Sequence, residues 1–211
     1  MRVAIIGAGN VGAAIARGLA GKGHQVTLGV RDSLKPEVVA LAAATGAVVS
    51  PPDQAAKGAE VVVLALPWRV AEAAVKALGD LSGKVVIDCM NPLGMVDGAL
   101  GLVVGHTTSG AEMVQGWLPG ARVVKTLNQV GAEIMARNDH LPHRPVQFVA
   151  GDDPSAKNMA MALLDELGFE ALDAGPLAKA RLLEPFAMVW INQAILRGKG
   201  RDWAFAAVAG T

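Results

Sequence analysis

Apolar residues in this chain come in short unbroken runs rather than in alternation with polar ones. Val3-Ala4-Ile5-Ile6, Val61-Val62-Val63-Leu64-Ala65-Leu66 and Val85-Val86-Ile87 contain no polar residue at every second position. A strand with one wet face alternates, whereas a strand covered on both faces has no reason to, so these runs predict strands buried in a parallel sheet. Further strands are predicted at 25–28, 47–49, 84–88, 121–127, 145–150 and 171–172. Between them lie stretches with helical spacing, at 13–19, 36–44, 70–78, 112–117, 132–137 and 155–167. A last apolar helical segment covers 176–197 and bends at Pro185. Pro51-Pro52 and Pro67-Trp68 act as breaks. Strand alternating with helix at this spacing predicts an α/β fold, a doubly wound parallel sheet.

The first run leads into Gly7-Ala8-Gly9-Asn10-Val11-Gly12, a G-x-G-x-x-G turn between a strand and an alanine-rich helix. This context makes the glycines informative. Gly7 permits the tight turn, Gly9 lets the backbone approach a pyrophosphate, and Gly12 lets helix and strand pack closely. The phosphate would rest on free N–H groups at the helix N-terminus. Residues 1–144 are thus expected to form a Rossmann-type dinucleotide-binding domain. Residues 145–211 are expected to complete the sheet and add a small helical cap, with a soft boundary near Arg144 or Gly151.

The end of the second strand faces the adenosine ribose in such folds and selects the dinucleotide. Here neutral Gly29-Val30 is followed by Arg31 and Lys35, two cations able to bind a 2′-phosphate, which predicts NADP(H). Asp32 between them is the contrary feature, because an acidic residue there suits NAD. Leu66-Pro67-Trp68 and Asn91-Pro92 follow the carboxyl ends of two later strands, where open α/β sheets bind ligands, and both loops are expected to line the cofactor. Asn128 follows the strand at 121–127; its amide is the candidate catalytic group, orienting the nicotinamide or an acceptor, with a helix cap before Ala132-Glu133 as the other reading.

Composition narrows the chemistry. The chain has 211 residues, of which 52% are hydrophobic, enough for one sizeable core. Nineteen Lys and Arg balance nineteen Asp and Glu, so no general attraction to nucleic acid or an anionic membrane is expected. Mean hydropathy is +0.38, yet no apolar run approaches the roughly 20 residues of a membrane span. One cysteine, Cys89, excludes an internal disulfide framework, and the chain opens on a core strand without a signal peptide, so a cytoplasmic location is expected. His24, His106, His140 and His143 show no zinc spacing, so no metal site is expected. No serine nucleophile elbow or paired carboxylates point to hydrolysis. Hydride transfer by a bound cofactor fits this scarcity, since the protein need only hold donor and acceptor face to face.

The residues also carry a resemblance. Met1 to Gly12, Leu28-Gly29-Val30-Arg31, Leu66-Pro67-Trp68, Asp173-Ala174-Gly175-Pro176-Leu177 and Ala180-Arg181-Leu182-Leu183-Glu184 resemble the NADPH:coenzyme F420 oxidoreductases over nearly the whole length. The dinucleotide domain of that family is in turn similar to that of mammalian metalloreductases. The resemblance implies that Ala8 to Val11 contact the pyrophosphate, Arg31 and Lys35 the 2′-phosphate, and Pro67-Trp68 the cofactor beyond it. It also implies that the C-terminal part helps form the acceptor pocket and that the protein is a homodimer. Asn128 stands where F420-using members tend to have histidine, and Val30 where they have serine. The expected activity is an NADP-dependent oxidoreductase that passes a hydride between NADP(H) and a planar small-molecule acceptor, F420 or a flavin. Two alternatives stand beside it: reduction of a small imine or carbonyl compound, and non-catalytic sensing of NADP(H).

Overall fold

In the computed structural model, which describes residues 1–208 and 210, the buried runs become the centre of one eight-stranded sheet. Six strands are parallel: β1 (Arg2–Ile6), β2 (Gln25–Gly29), β3 (Val48–Ser50), β4 (Val61–Leu64), β5 (Val85–Asp88) and, after the hairpin strands described below, β8 (Arg122–Lys125). They lie in the order β3-β2-β1-β4-β5-β8, continued by β9 (Val146–Gly151) and β10 (Glu170–Gly175). The chain moves outward from β1 in both directions, so the strand order reverses between β1 and β4 and opens a crevice above their carboxyl ends.

Both faces of the sheet are covered, which explains the unbroken runs. Val3, Ile5, Val61, Val63, Val85 and Ile87 pack with α1 (Asn10–Leu19) and α7 (Pro154–Glu166) on one side. Ala4, Ile6, Val62, Leu64 and Val86 pack on the other side with α3 (Pro52–Gly58), α4 (Trp68–Lys76) and α5 (Gly110–Trp117). Each fully buried Val, Ile or Leu contributes roughly 1.5–3 kcal/mol, so neither layer accepts a polar residue cheaply. The remaining helices are α2 (Pro36–Thr45), α6 (Ala132–Ala136) and α8 (Ala180–Ile191). A 3₁₀ turn at Leu177–Lys179 precedes α8 and a π-helical turn at Asn192–Leu196 follows it, so the predicted segment at 176–197 is helical in three winding modes. Among the described residues no helix is long and apolar enough to cross a membrane.

The structure departs from the predicted pattern in three places. The sheet is not wholly parallel, because β9 runs antiparallel to β8 and β10 follows β9. The cause is local: α6 has only five residues and cannot carry the chain back along the sheet, so β9 starts at the carboxyl edge and runs downward. Second, Pro52 does not merely break the chain. It is the first residue of α3, where its fixed φ favours a helix start and its missing N–H costs nothing. Third, the residues after Asn91-Pro92 form a hairpin, β6 (Leu93–Val96) and β7 (Ala99–Leu102), closed by Asp97 and Gly98 with φ of 50° and 79°. Two positive φ values make the tight turn whose twist suits a hairpin. Leu93 and Leu100 of this hairpin pack on Trp190, Ile191 and Ala194 beside Trp203 and Phe205, binding the C-terminal segment to the carboxyl edge.

Candidate functional site

The turn after β1 is shaped by what would collide with a side chain. A Cβ at Gly12 would lie 1.9 Å from the Gly7 carbonyl oxygen, and one at Gly7, whose φ is +100°, would lie 2.5 Å from that of Ala65. A Cβ at Gly9 would meet nothing within 4 Å. Two glycines therefore serve packing and the third leaves open space in front of the backbone. Behind that space α1 starts with no side-chain cap and no acidic residue in its first turn. Its first main-chain bond runs from the Ala13 N–H to the Gly9 carbonyl (2.8 Å), which leaves the Asn10, Val11 and Gly12 N–H groups without intrahelical acceptors. An uncapped helix start behind an open glycine is a ready anion site, and these residues fit a pyrophosphate.

Next to this turn, at the end of β2, Arg31 and Lys35 are exposed and form no ion pair with any described residue. Asp32 does not compete with them for a ribose with both oxygens free, since its Oδ1 accepts the Leu34 N–H at 3.1 Å and closes its own turn. Two uncommitted cations beside the phosphate turn fit a further phosphate on the ribose.

The other predicted residues also fall on the carboxyl edge, in the spatial order of β4, β5 and β8. Leu66 and Pro67 lead directly into α4, which begins at Trp68 rather than at Val70. The Trp68 ring packs over Gly110 and lies 5.5 Å from that of Trp117, tilted by 30°. A groove of about 570 Å³ runs from Trp68 down the outer faces of α4 and α5 to Lys76, away from the row of strand ends. Pro92 is buried and Asn91 half-buried.

Asn91 and Asn128 exchange two hydrogen bonds: Asn91 Nδ2 donates to the Asn128 carbonyl (2.8 Å) and Asn128 Nδ2 to Asn91 Oδ1 (2.9 Å). Asn128 Nδ2 donates its second proton to the Leu183 carbonyl (3.1 Å), and Asn128 Oδ1 accepts from Gln129 Nε2 (2.9 Å). Gln129 is fixed in turn by the Phe148 N–H on its Oε1 and the Phe148 carbonyl on its Nε2. Main-chain groups at both ends of this chain dictate the orientation of every amide. Asn128 is 5% exposed and has spent both amide protons. It is therefore placed to hold Asn91, whereas half-buried Asn91 keeps one N–H and one lone pair without a partner among the described residues. The candidate catalytic amide is thus buried and bonded to Asn91, Leu183 and Gln129.

Sequence reasoning missed the ionic cluster beneath these amides. Lys125, at the end of β8 and fully buried, donates to Asp88 Oδ2 (3.0 Å), sits 3.1 Å from Glu184 Oε1 and also donates to the Met90 carbonyl. Burial alone would push the Lys125 ammonium down, but the carboxylates of Asp88 and Glu184 hold it above the ordinary lysine range. Asp88 Oδ1 accepts the Met90 N–H, and Glu184 accepts the N–H groups of Gly110 and Ala111 at the start of α5. Arg181, one turn before Glu184, forms a two-pronged pair with Glu112 (2.9 and 2.6 Å), and Glu112 is also bonded by the cap residue Ser109. The Ala180–Glu184 motif is thus a double lock between α8 and α5. In the other motif, Asp173 pairs with Lys157 at 2.8 Å and caps the turn at Gly175, whose φ is +103°. Nearby Cys89 is buried, and burial first, then Asp88, raises its thiol well above the ordinary range, which keeps it protonated and unreactive.

The comparisons with known proteins bear on this arrangement. A family model described as NADP oxidoreductase, coenzyme F420-dependent, matches residues 2–92, from β1 through the Asn91-Pro92 loop. A solved structure from Arthrobacter sp. FB24, a candidate F420-dependent NADP-reductase, is 32% identical and covers 99% of this chain and 100% of its own, with a TM-score of 0.89. The chain belongs to the F420-dependent NADP oxidoreductase family. A hypothetical protein from Sinorhizobium meliloti, 26% identical, covers 87% of this chain and 90% of its own with a TM-score of 0.75. The metalloreductase STEAP3 of Rattus norvegicus is 29% identical over 184 residues; that match takes in 87% of this chain but only 36% of STEAP3, so the chain spans about a third of that relative. The chemistry of the F420-dependent NADP oxidoreductase family is NADP-dependent oxidoreduction. The full-length match includes β9, β10 and α8.

Proposed function

We propose that this protein passes a hydride between NADP(H) and a planar small-molecule acceptor, with coenzyme F420 favoured by family membership and a flavin as the variant. The observation that carries the cofactor half is the uncapped N-terminus of α1 behind the open Gly9, with uncommitted Arg31 and Lys35 at the adjoining strand end. When bound, the nicotinamide supplies or accepts the hydride. Gly7 to Gly12 would hold the pyrophosphate, Arg31 and Lys35 the 2′-phosphate, and Leu66-Pro67-Trp68 and Asn91-Pro92 would line the nicotinamide end. Asn91, with its free N–H and lone pair, would orient the carboxamide or the acceptor, and Asn128 would act through Asn91. Neither amide is an acid or a base near neutral pH, which suits transfer to an acceptor that takes its proton from solvent.

Exposed Leu182, Val189, Ile195 and Leu196 on α8 and the turn after it support a homodimer built on this helix. Light scattering on the eluted protein should then report twice the chain mass. The test of the activity is to mix the protein with NADPH and F420, FMN, FAD or riboflavin and to follow the nicotinamide absorbance. Acceptor-dependent loss of NADPH, with NADH much slower, is expected; no oxidation with any of the four acceptors would remove the proposed reaction.

A further inference from the structure

We infer that Lys125 is a positioning residue, which holds Asn91 and Asn128 in their working arrangement by clamping three separate pieces of the carboxyl edge to one ammonium. The inference rests on the function proposed above only for where the nicotinamide end lies. Each contact of Lys125 leads to a different element. Through Asp88 and the Met90 carbonyl it fixes the end of β5, one residue before Asn91. Through Glu184 it fixes α8, next to the Leu183 carbonyl that takes an Asn128 proton, and also the start of α5. Its own strand ends three residues before Asn128.

Packing alone does not require this cluster. Replacing a buried ion group by apolar side chains of similar volume is often neutral or stabilising, and where such groups persist they can define one geometry among several. The geometry defined here is the one that matters to the amides. If β5 slid against β8, the two Asn91–Asn128 bonds would break together, because they link side chain to main chain in one direction and side chain to side chain in the other. An ammonium with three donors directed at three acceptors resists such a slide in every direction.

The test uses Lys125→Met, with Glu184→Gln as a milder second variant that keeps the Lys125–Asp88 pair. The first readout needs no cofactor: hydrogen exchange of the Asn128 side-chain amide, followed by NMR in the free protein. It should become about tenfold faster in Lys125→Met, and severalfold faster in Glu184→Gln, while the Gly7 and Ala13 amides of the phosphate turn stay within about twofold. The second readout is kinetic. Lys125→Met should lower kcat about tenfold with the Kd for NADPH within about threefold, and adding Asn91→Ala should lower kcat by less than about twofold more, because both changes disable the same group. Unchanged Asn128 exchange in both variants, or an Asn91→Ala effect that multiplies in full on Lys125→Met, would overturn the inference. If Lys125→Met does not fold, Glu184→Gln carries both readouts. If the natural protein binds no NADPH, the proposed function falls while the exchange measurement still judges Lys125.

Discussion

At the phosphate turn, the groups that would meet a ligand are main-chain N–H donors left unfilled, Arg31 and Lys35 pair with no described residue, and a Cβ at Gly9 would meet nothing within 4 Å. At the other end of the same row of strands the amides and the ammonium are spent on partners within the protein: Asn128 on Asn91 and Leu183, Gln129 on Phe148, Lys125 on Asp88, Met90 and Glu184. The two ends are built for different tasks. A phosphate brings strong charge and many acceptors, so bare donors suffice to bind it. On the proposed reading the other end receives a hydride acceptor, which must be placed to within fractions of an ångström, and fixed surroundings suit that task.

The largest expected effect comes from the glycines, and two of them should part company. Gly12→Ala would drive a Cβ against the Gly7 carbonyl oxygen, and thermal unfolding should show a loss of more than about 3 kcal/mol. Gly9→Ala sits at φ −72° with nothing in its way, so stability should stay within about 0.5 kcal/mol. Its methyl group stands in the approach to the pyrophosphate, so NADPH affinity should fall about tenfold or more by titration. A Gly9→Ala protein that binds NADPH normally would erase the contrast between an open end and a filled one.

Next in size is the adenosine end. Arg31→Ala should weaken NADPH roughly 10- to 100-fold, the worth of a charge-assisted hydrogen bond, and leave NADH unchanged. Smaller still is the lock between the helices. Arg181→Ala should lower the melting temperature only slightly near neutral pH, since the pair with Glu112 is partly exposed. The Arg181 guanidinium holds Glu112 below its ordinary value of 4.5. A depressed carboxyl contributes stability above its unfolded pKa and loses it as pH falls through the folded one. Melting curves from pH 6 downward should therefore drop less steeply below about pH 4.5 in Glu112→Gln than in the natural protein; parallel curves would show that the lock carries no linkage.

How much of this was legible in the sequence follows the same divide. The phosphate turn and the sheet centre are local: a buried strand, three glycines and a helix start are written within twelve residues, and doubly buried strands show as unbroken runs. The Asp97-Gly98 turn carried a hairpin signal as well, but Gly94 and Gly101 interrupt the apolar pattern on both strands and concealed it. The reversed direction of β9 depends on the shortness of α6, which Pro142 and Pro145 hint at without specifying. The ionic cluster was illegible because Asp88, Lys125 and Glu184 come from three distant elements, each read alone as an ordinary strand end or helix face. Asn128 and Asn91 are both legible by position as strand-end amides, yet only the packed structure shows that the Asn128 amide is buried while Asn91 is half-buried.

Uncommitted donors at the β1 and β2 ends are expected to bind a dinucleotide with a 2′-phosphate. Calorimetric titration of the natural protein and of Arg31→Ala/Lys35→Ala with NADPH and NADH tests it most directly. The natural protein should prefer NADPH by at least about tenfold, and the double variant should bind the two cofactors alike. Equal binding by the natural protein, or a preference that survives both substitutions, would contradict it.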